Sequence, residues 1–118
     1  MFRFERLKVW HKALELYDVV DVVTDGFPDK ARSAIVDQLR RAALSVSSNI
    51  AEGAGRETVR ESRQFYNVAK ASAFEVVSIA MVCQRRKLMT PAQGQDIYGR
   101  SEEISKMLTG LKRVSIPA

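Results

Sequence analysis

One cysteine and one histidine are all that the 118 residues hold of the side chains most used as soft metal ligands and nucleophiles, and their scarcity closes several chemistries at once. A disulfide framework or cysteine-rich metal centre cannot be built, and a zinc site lacks a second histidine or cysteine. His11 follows Trp10 in an amphipathic stretch, where a surface or half-buried role is expected, and no serine–histidine–acid arrangement accompanies it. Cys83 recurs on an apolar stripe and reads as a small core residue rather than a thiol nucleophile. No apolar run approaches the ~20 residues of a membrane span, and the opening MFRFERLKVW lacks the apolar centre of a signal peptide. The expectation is a cytoplasmic protein with no membrane partner. Internal repeats, low-complexity tracts and domain linkers are also missing, so residues 1–118 read as one domain, and 46% hydrophobic composition suits one globular core.

What is present is helical periodicity, with no convincing strand. From about Leu7 to Thr24, Val9, Ala13, Leu16, Val20 and Val23 form one stripe and Leu7, Trp10, Leu14 and Tyr17 its neighbour, an apolar face broad enough for two other helices. Asp25-Gly26-Phe27-Pro28 breaks this helix. In the second, ending near Glu52, Leu39, Ala43, Val46 and Ile50 mark a buried seam. Beside it runs a stripe of small or polar residues, Gln38, Arg41, Ser45, Ser48 or Asn49, and Glu52. The third spans roughly Val59 to Leu88, with Phe65, Ala69, Ser72, Val76, Ile79 and Cys83 alternating steps of four and three. The fourth turns Ile97, Ile104, Leu108 and Leu111 inward, although Gly94, Gly99 and Gly110 each lower helix propensity by about 1 kcal/mol relative to Ala. Ser115 to Ala118 reads as a frayed tail.

The connections carry their own signals. Gly53 and Gly55 are expected to supply the positive φ that stops the second helix, and Thr58-x-x-Glu61 to cap the third. Thr90-Pro91-Ala92-Gln93 places a cap, a first-turn proline and a capping-box glutamine in order. Gly53-Ala54-Gly55-Arg56 is a helix stop rather than a nucleotide-binding loop, since it follows a helix and lacks the strand, lysine and spacing of a P-loop. Four helices of comparable length joined by short turns make an all-α, up-down-up-down four-helix bundle.

The quoted residues also carry a resemblance. Leu7-x-Val9-Trp10-x-x-Ala13, Phe27-Pro28, Gln38-Leu39-Arg40-Arg41-Ala42, Asn49-Ile50-Ala51-Glu52-Gly53 with Gly55-Arg56, and then Phe65, Ala69, Ser72 and Glu75 occur in the order found in one family. This is the four-helix-bundle family encoded by intervening sequences of bacterial large-subunit ribosomal RNA genes. The family in turn resembles the Avd accessory proteins of diversity-generating retroelements. The resemblance covers nearly the whole chain and weakens after Leu88. The chain departs at Ser47, where the family often has proline, and at Ala71, where it often has glycine. The first removes the reason for a kink in the second helix, and the second adds a methyl group at an expected helix contact. The resemblance implies a ring-like homo-oligomer, with pentamers known among members, and either a helper role for a reverse transcriptase or another RNA-linked role.

Charge points to an anionic partner. Nineteen Lys plus Arg against fourteen Asp plus Glu give a net +5, and placement matters more than the total. Arg56, Arg60 and Arg63 share a face at the start of the third helix, where cations oppose the helix dipole. With Arg40 and Arg41 on the preceding helix they form the candidate nucleic-acid-binding set, able to offer paired donors to phosphate oxygens. The competing account has Glu52, Glu57 and Glu61 neutralising these arginines through local pairs. Arg85-Arg86-Lys87 and Lys112-Arg113 sit near helix C-termini, where the dipole stabilises cations anyway. No motif for reading base edges is present.

Asn49, Glu52 and Glu75 are the candidate polar residues inside the bundle. Di-iron bundles use Glu-x-x-His pairs, which this sequence lacks, so no cofactor and no metal are expected. The reading is a non-enzymatic oligomeric bundle that binds RNA or DNA backbone, as an accessory to a nucleic-acid-processing protein such as a reverse transcriptase. The alternatives are a protein-interaction scaffold without nucleic-acid binding and, third, a carboxylate-based metalloenzyme.

Overall fold

The computed structural model describes residues 1–28 and 32–114. A 3-10 turn at Arg3–Arg6 leads into helix α1 (Lys8–Asp25). A π-helical turn at Arg32–Val36 precedes α2 (Asp37–Ala54), which is followed by α3 (Val59–Arg85) and α4 (Pro91–Val114). No strand occurs among the described residues, and the tail read from sequence as frayed lies outside them.

Side-chain contacts fix the direction of each helix against the next. Thr24 and Asp25 of α1 meet Arg40 of α2, while Arg3, ahead of α1, reaches the carbonyls of Ala54 and Arg56 at the far end of α2. Ser45 pairs with Ser72, and Gly53 lies against Tyr66. Lys70 meets Thr109, and Lys112 meets Asn67. Rising numbers on one helix thus meet falling numbers on its neighbour, and the chain forms the up-down-up-down bundle that the sequence predicts, 50 × 21 × 20 Å in extent.

The core follows the predicted seams. Val9, Ala13, Leu16 and Val20 are buried against Leu39, Ala43, Val46 and Ile50, then Ala69, Val76, Ile79 and Cys83, and finally Ile97, Ile104 and Leu108. Two details differ. Thr24 rather than Val23 closes the α1 stripe: its hydroxyl donates to the Val20 carbonyl at 2.7 Å and accepts from Arg40 Nε at 3.0 Å, so a polar group is buried satisfied. On α3 the aromatic contribution comes from Tyr66, with Phe65 half-buried, because α3 packs against both α2 and α4 and buries a second stripe of Tyr66, Ala73 and Ala80. By length and composition alone α3 is long and apolar enough to cross a bilayer, which the sequence reading did not anticipate. Its buried seam faces neighbouring helices of the bundle.

Glycine acts sterically here. Among the described residues no glycine has positive φ, which corrects the expectation for Gly53 and Gly55. Gly55 ends α2 at φ −88°, and Gly53 lies within the helix at a place that only glycine fits, since a Cβ there would lie 2.6 Å from Tyr66 Cε1 and 3.1 Å from Phe65 Cβ. The left-handed residue is Lys87, at φ 61°. Around it Leu88 N–H donates to the Cys83 carbonyl at 2.8 Å and Lys87 N–H to that of Gln84 at 3.0 Å, a Schellman arrangement with lysine where glycine is usual.

Both predicted caps form. Thr58 Oγ1 accepts from Glu61 N–H at 3.2 Å and donates to the Glu61 carboxylate at 2.9 Å. Thr90 and Gln93 exchange side-chain bonds with each other's backbone N–H at 3.1 and 2.9 Å. α4 runs unbroken through its three glycines, since packing of its inward face outweighs propensity. α2 likewise continues through Ser47, and Ala71 is exposed, so its methyl group meets no helix contact.

Two substitutions test these turns by equilibrium denaturation. Lys87→Gly is expected to raise stability by about 1 kcal/mol by relieving the left-handed backbone. Gly53→Ala is expected to lower it by about 1–3 kcal/mol through overpacking on the Tyr66 ring.

Candidate nucleic-acid interface

Antiparallel topology brings the start of α1, the end of α2, the start of α3 and the end of α4 to one end of the rod. Arg3, Arg6, Lys8, Arg56, Arg60, Arg63, Lys112 and Arg113 therefore share that end, against Glu5, Glu52, Glu57 and Glu61. Two of the acids are occupied locally: the Glu5 carboxylate accepts the Phe2 N–H at 2.7 Å, and that of Glu61 accepts the Thr58 hydroxyl. Among the described residues none of Arg56, Arg60 and Arg63 makes an ion pair, so the local neutralisation weighed from sequence does not form.

Each cation has its own setting. Arg56 is half-buried, its guanidinium 4.5 Å above the Phe65 ring, a cation–π contact that holds the charge near the surface. Arg60 and Arg63 are exposed and line a shallow cleft of about 330 Å³ with Val59, Gln64 and Asn67; Lys112 reaches over it to the Asn67 amide oxygen. Arg3 donates to the carbonyls of Ala54 and Arg56, both at 3.3 Å, supplying partners for the last carbonyls of α2 and tying the N-terminal turn to the α2–α3 junction. Burial pushes the Tyr66 hydroxyl up from its ordinary value, opposed by the nearby Arg3 charge.

Two members of the predicted set do not join this end. Arg40 stands sixteen positions before Arg56 on α2, roughly 24 Å away at 1.5 Å per residue. Its Nε donates to Thr24 Oγ1 and lies 3.4 Å from Asp21 Oδ1, and its Nη2 is 3.0 Å from Asp25 Oδ1. It clamps α1 to α2 and its charge is matched. Arg41 is exposed at the same distant level. Sequence spacing along one helix cannot show which acids a neighbouring helix brings. Nor does it show that Arg3, Arg6, Lys8, Lys112 and Arg113 converge, although the alternation of four helix directions was a signal that could have found them.

The predicted interior polar residues divide. Asn49 is half-buried, and its amide donates to the Ser45 carbonyl at 2.8 Å and to the Ser45 hydroxyl at 3.0 Å. Glu52 and Glu75 are exposed, which corrects their placement inside the bundle. Glu75 precedes the seam residue Val76, and one residue of helix rotation is enough to carry it into solvent. No group of three His, Cys, Asp or Glu able to hold a metal ion occurs among the described residues. Cys83 is buried, and burial raises its thiol away from the reactive thiolate.

A second surface feature continues along the same side of α3, toward its far end. A groove of about 770 Å³ between α3 and α4 is lined by Ala73 and Val77, with Lys70, Lys106 and Arg113 toward the basic end. Phe74, Met81 and Tyr98 beside it are 63%, 55% and 46% exposed, large apolar residues that a lone bundle leaves in water.

The family model described as 23S rRNA-intervening sequence protein matches residues 5–110. A crystal structure of a protein of unknown function from the S23 ribosomal protein family of Bacteroides thetaiotaomicron superposes with a TM-score of 0.81 at 22% identity, covering 88% of this chain and 97% of that one. No curated protein matches the chain.

The raised Tyr66 sets an alkaline limit. The folded state holds this proton more tightly than the unfolded chain, so its contribution is complete below the ordinary tyrosine range, about pH 10, and is lost as pH rises through the folded value. Thermal melts of the wild type are expected to fall across that range, and those of Tyr66→Phe to fall less.

Proposed function

The chain belongs to the 23S rRNA-intervening sequence protein family, and from that premise we propose that it acts without catalysis, as an oligomeric helical bundle whose basic end binds the phosphate backbone of RNA or DNA. The observation that carries this reading is the convergence of eight cations from four helix termini on one end, with Arg56, Arg60 and Arg63 lacking ion-pair partners among the described residues. Cations at the start of α3 oppose its dipole at about 0.3–1 kcal/mol each, a cost that phosphate contact would offset. Guanidinium groups on adjacent elements offer the forked donors that phosphate oxygens accept. The non-catalytic part rests on the buried Cys83, the solitary His11 and the scattered acids.

The exposed α3–α4 groove favours a second component, a homo-oligomer in which a neighbouring subunit covers it. Oligomerisation would repeat the basic end and raise affinity by multivalency. The same groove supports the scaffold reading, in which the partner is another protein, such as a reverse transcriptase, and the charge serves solubility.

The discriminating experiment titrates the protein against structured RNA, single-stranded RNA and duplex DNA at several salt concentrations, with mass measured in parallel. Binding should weaken log-linearly with salt. Arg56→Glu with Arg60→Glu should weaken it steeply and reduce the salt slope by about 2, whereas Arg41→Glu, at the distant level, should change it little. No binding at low salt would sink the nucleic-acid reading and leave the scaffold.

A further inference from the structure

The N-terminal turn holds an aromatic ladder whose outermost rung is open to solvent. Phe2 and Phe4 stack with ring centroids 5.7 Å apart and planes 17° from parallel; Phe4 then meets Trp10 at 4.7 Å, and Trp10 meets His11 at 5.0 Å. Phe2 is 73% exposed, while Phe4 and Trp10 are half-buried, Trp10 against the core. A phenylalanine so exposed is costly in water, and this one is held in place. Its N–H donates to the Glu5 carboxylate at 2.7 Å, its carbonyl accepts from Glu5 N–H at 3.1 Å, and the Phe4 carbonyl accepts from Leu7 N–H at 2.9 Å. His11 Nε2 lies 2.7 Å from the Glu5 carbonyl, and Arg3 fastens the turn to the α2–α3 junction.

We infer that this ladder is a stacking platform for an unpaired nucleobase, so that the basic end takes single-stranded nucleic acid in preference to duplex. The inference rests on the basic-end reading above and adds the substrate class to it. The charges of this end specify the ligand: Arg3 and Arg6 stand in the same turn as Phe2, and the Arg3 bond to the Arg56 carbonyl brings that turn to the arginines around the α3 start. An exposed π-face at a basic end fits a ligand that alternates flat aromatic groups with negative charge, which is the repeat of a single strand. In duplex the bases are stacked on one another and unavailable to Phe2. The platform is fixed in advance, so a base that docks extends an existing stack without ordering the turn. Stacking on a ring reads no base edge, in keeping with a chain that has no base-readout motif.

The test compares four probes with the same number of phosphates: oligo-rA, oligo-dA, an abasic oligomer and a duplex. The wild type should bind both single strands roughly tenfold more tightly than the abasic oligomer. Phe2→Ala should bring both down to the abasic level, leaving abasic and duplex affinities unchanged, and Phe2→Trp should retain them. Since Phe2 is exposed and its backbone bonds survive substitution, helicity should be unaltered. Equal loss with rA and dA assigns the contact to the base, whereas a loss confined to rA would overturn base stacking in favour of a contact to the ribose. If Phe2→Ala leaves single-strand affinity intact while Arg56→Glu with Arg60→Glu removes it, the platform is wrong and the basic end stands. If the wild type binds none of the probes, both fail. If Phe2→Ala changes the mass of the assembly and not its affinity, the ring is a subunit contact and the inference is overturned.

Discussion

Close packing of α2 against α3 is the constraint on which the rest of this molecule depends. Ser45 and Gly53 on one helix, and Ser72 on the other, keep the side chains between the two short. The Ser45 and Ser72 hydroxyls then come within 2.8 Å, and Gly53 admits the Tyr66 ring. That approach sets the register of α3, and through Lys70 and Thr109 the register of α4 follows. A bulkier residue at any of these positions would slide or tilt one helix and disturb every pairing after it.

Register also decides where charge accumulates. Because the chain reverses direction at each connection, cations far apart in sequence meet at one end of the rod, among them Arg3, Arg60 and Arg113. Arg40 sits at another level and is matched by Asp21 and Asp25. The basic end is thus a property of topology, and a net charge of +5 gives little hint of it. Arg3 belongs to both stories. It satisfies carbonyls at the end of α2 and opposes the rise of Tyr66, so fold and electrostatics share that one side chain.

Most of the architecture was legible in the sequence, because hydrophobic periodicity and capping are local properties. The seams through Leu39 to Ile50 and Ala69 to Cys83 are buried as read, and Thr58 and Thr90 cap as read. What stayed hidden depends on neighbours across space. Gly53 looked like a source of positive φ and is instead a steric gap, while the left-handed turn fell to Lys87, which no propensity argument would select. Glu75 looked interior because it stands next to the seam residue Val76, yet a rotation of about 100° carries it outward, and Glu52 because it lies at a helix end whose backbone groups need partners, yet it too is exposed. Of the candidate site, Arg60 and Arg63 were legible as one helix face, whereas Arg56 stands in the turn before α3, over the Phe65 ring. The contribution of the N-terminal turn and of the end of α4 was not, since it exists only once the bundle closes.

The proportions of the rod carry a consequence for crowding on a polymer. A body 50 Å long and only 21 × 20 Å in cross-section, charged at its tip, covers about six base pairs' worth of rise when it stands upright on a nucleic acid, taking 3.4 Å per step. Lying flat it would cover more than twice that length and hide its own flanks. Standing copies would line up like bristles, their long sides parallel and a few ångströms apart. A long polyanion would then act as a template that brings subunits side by side.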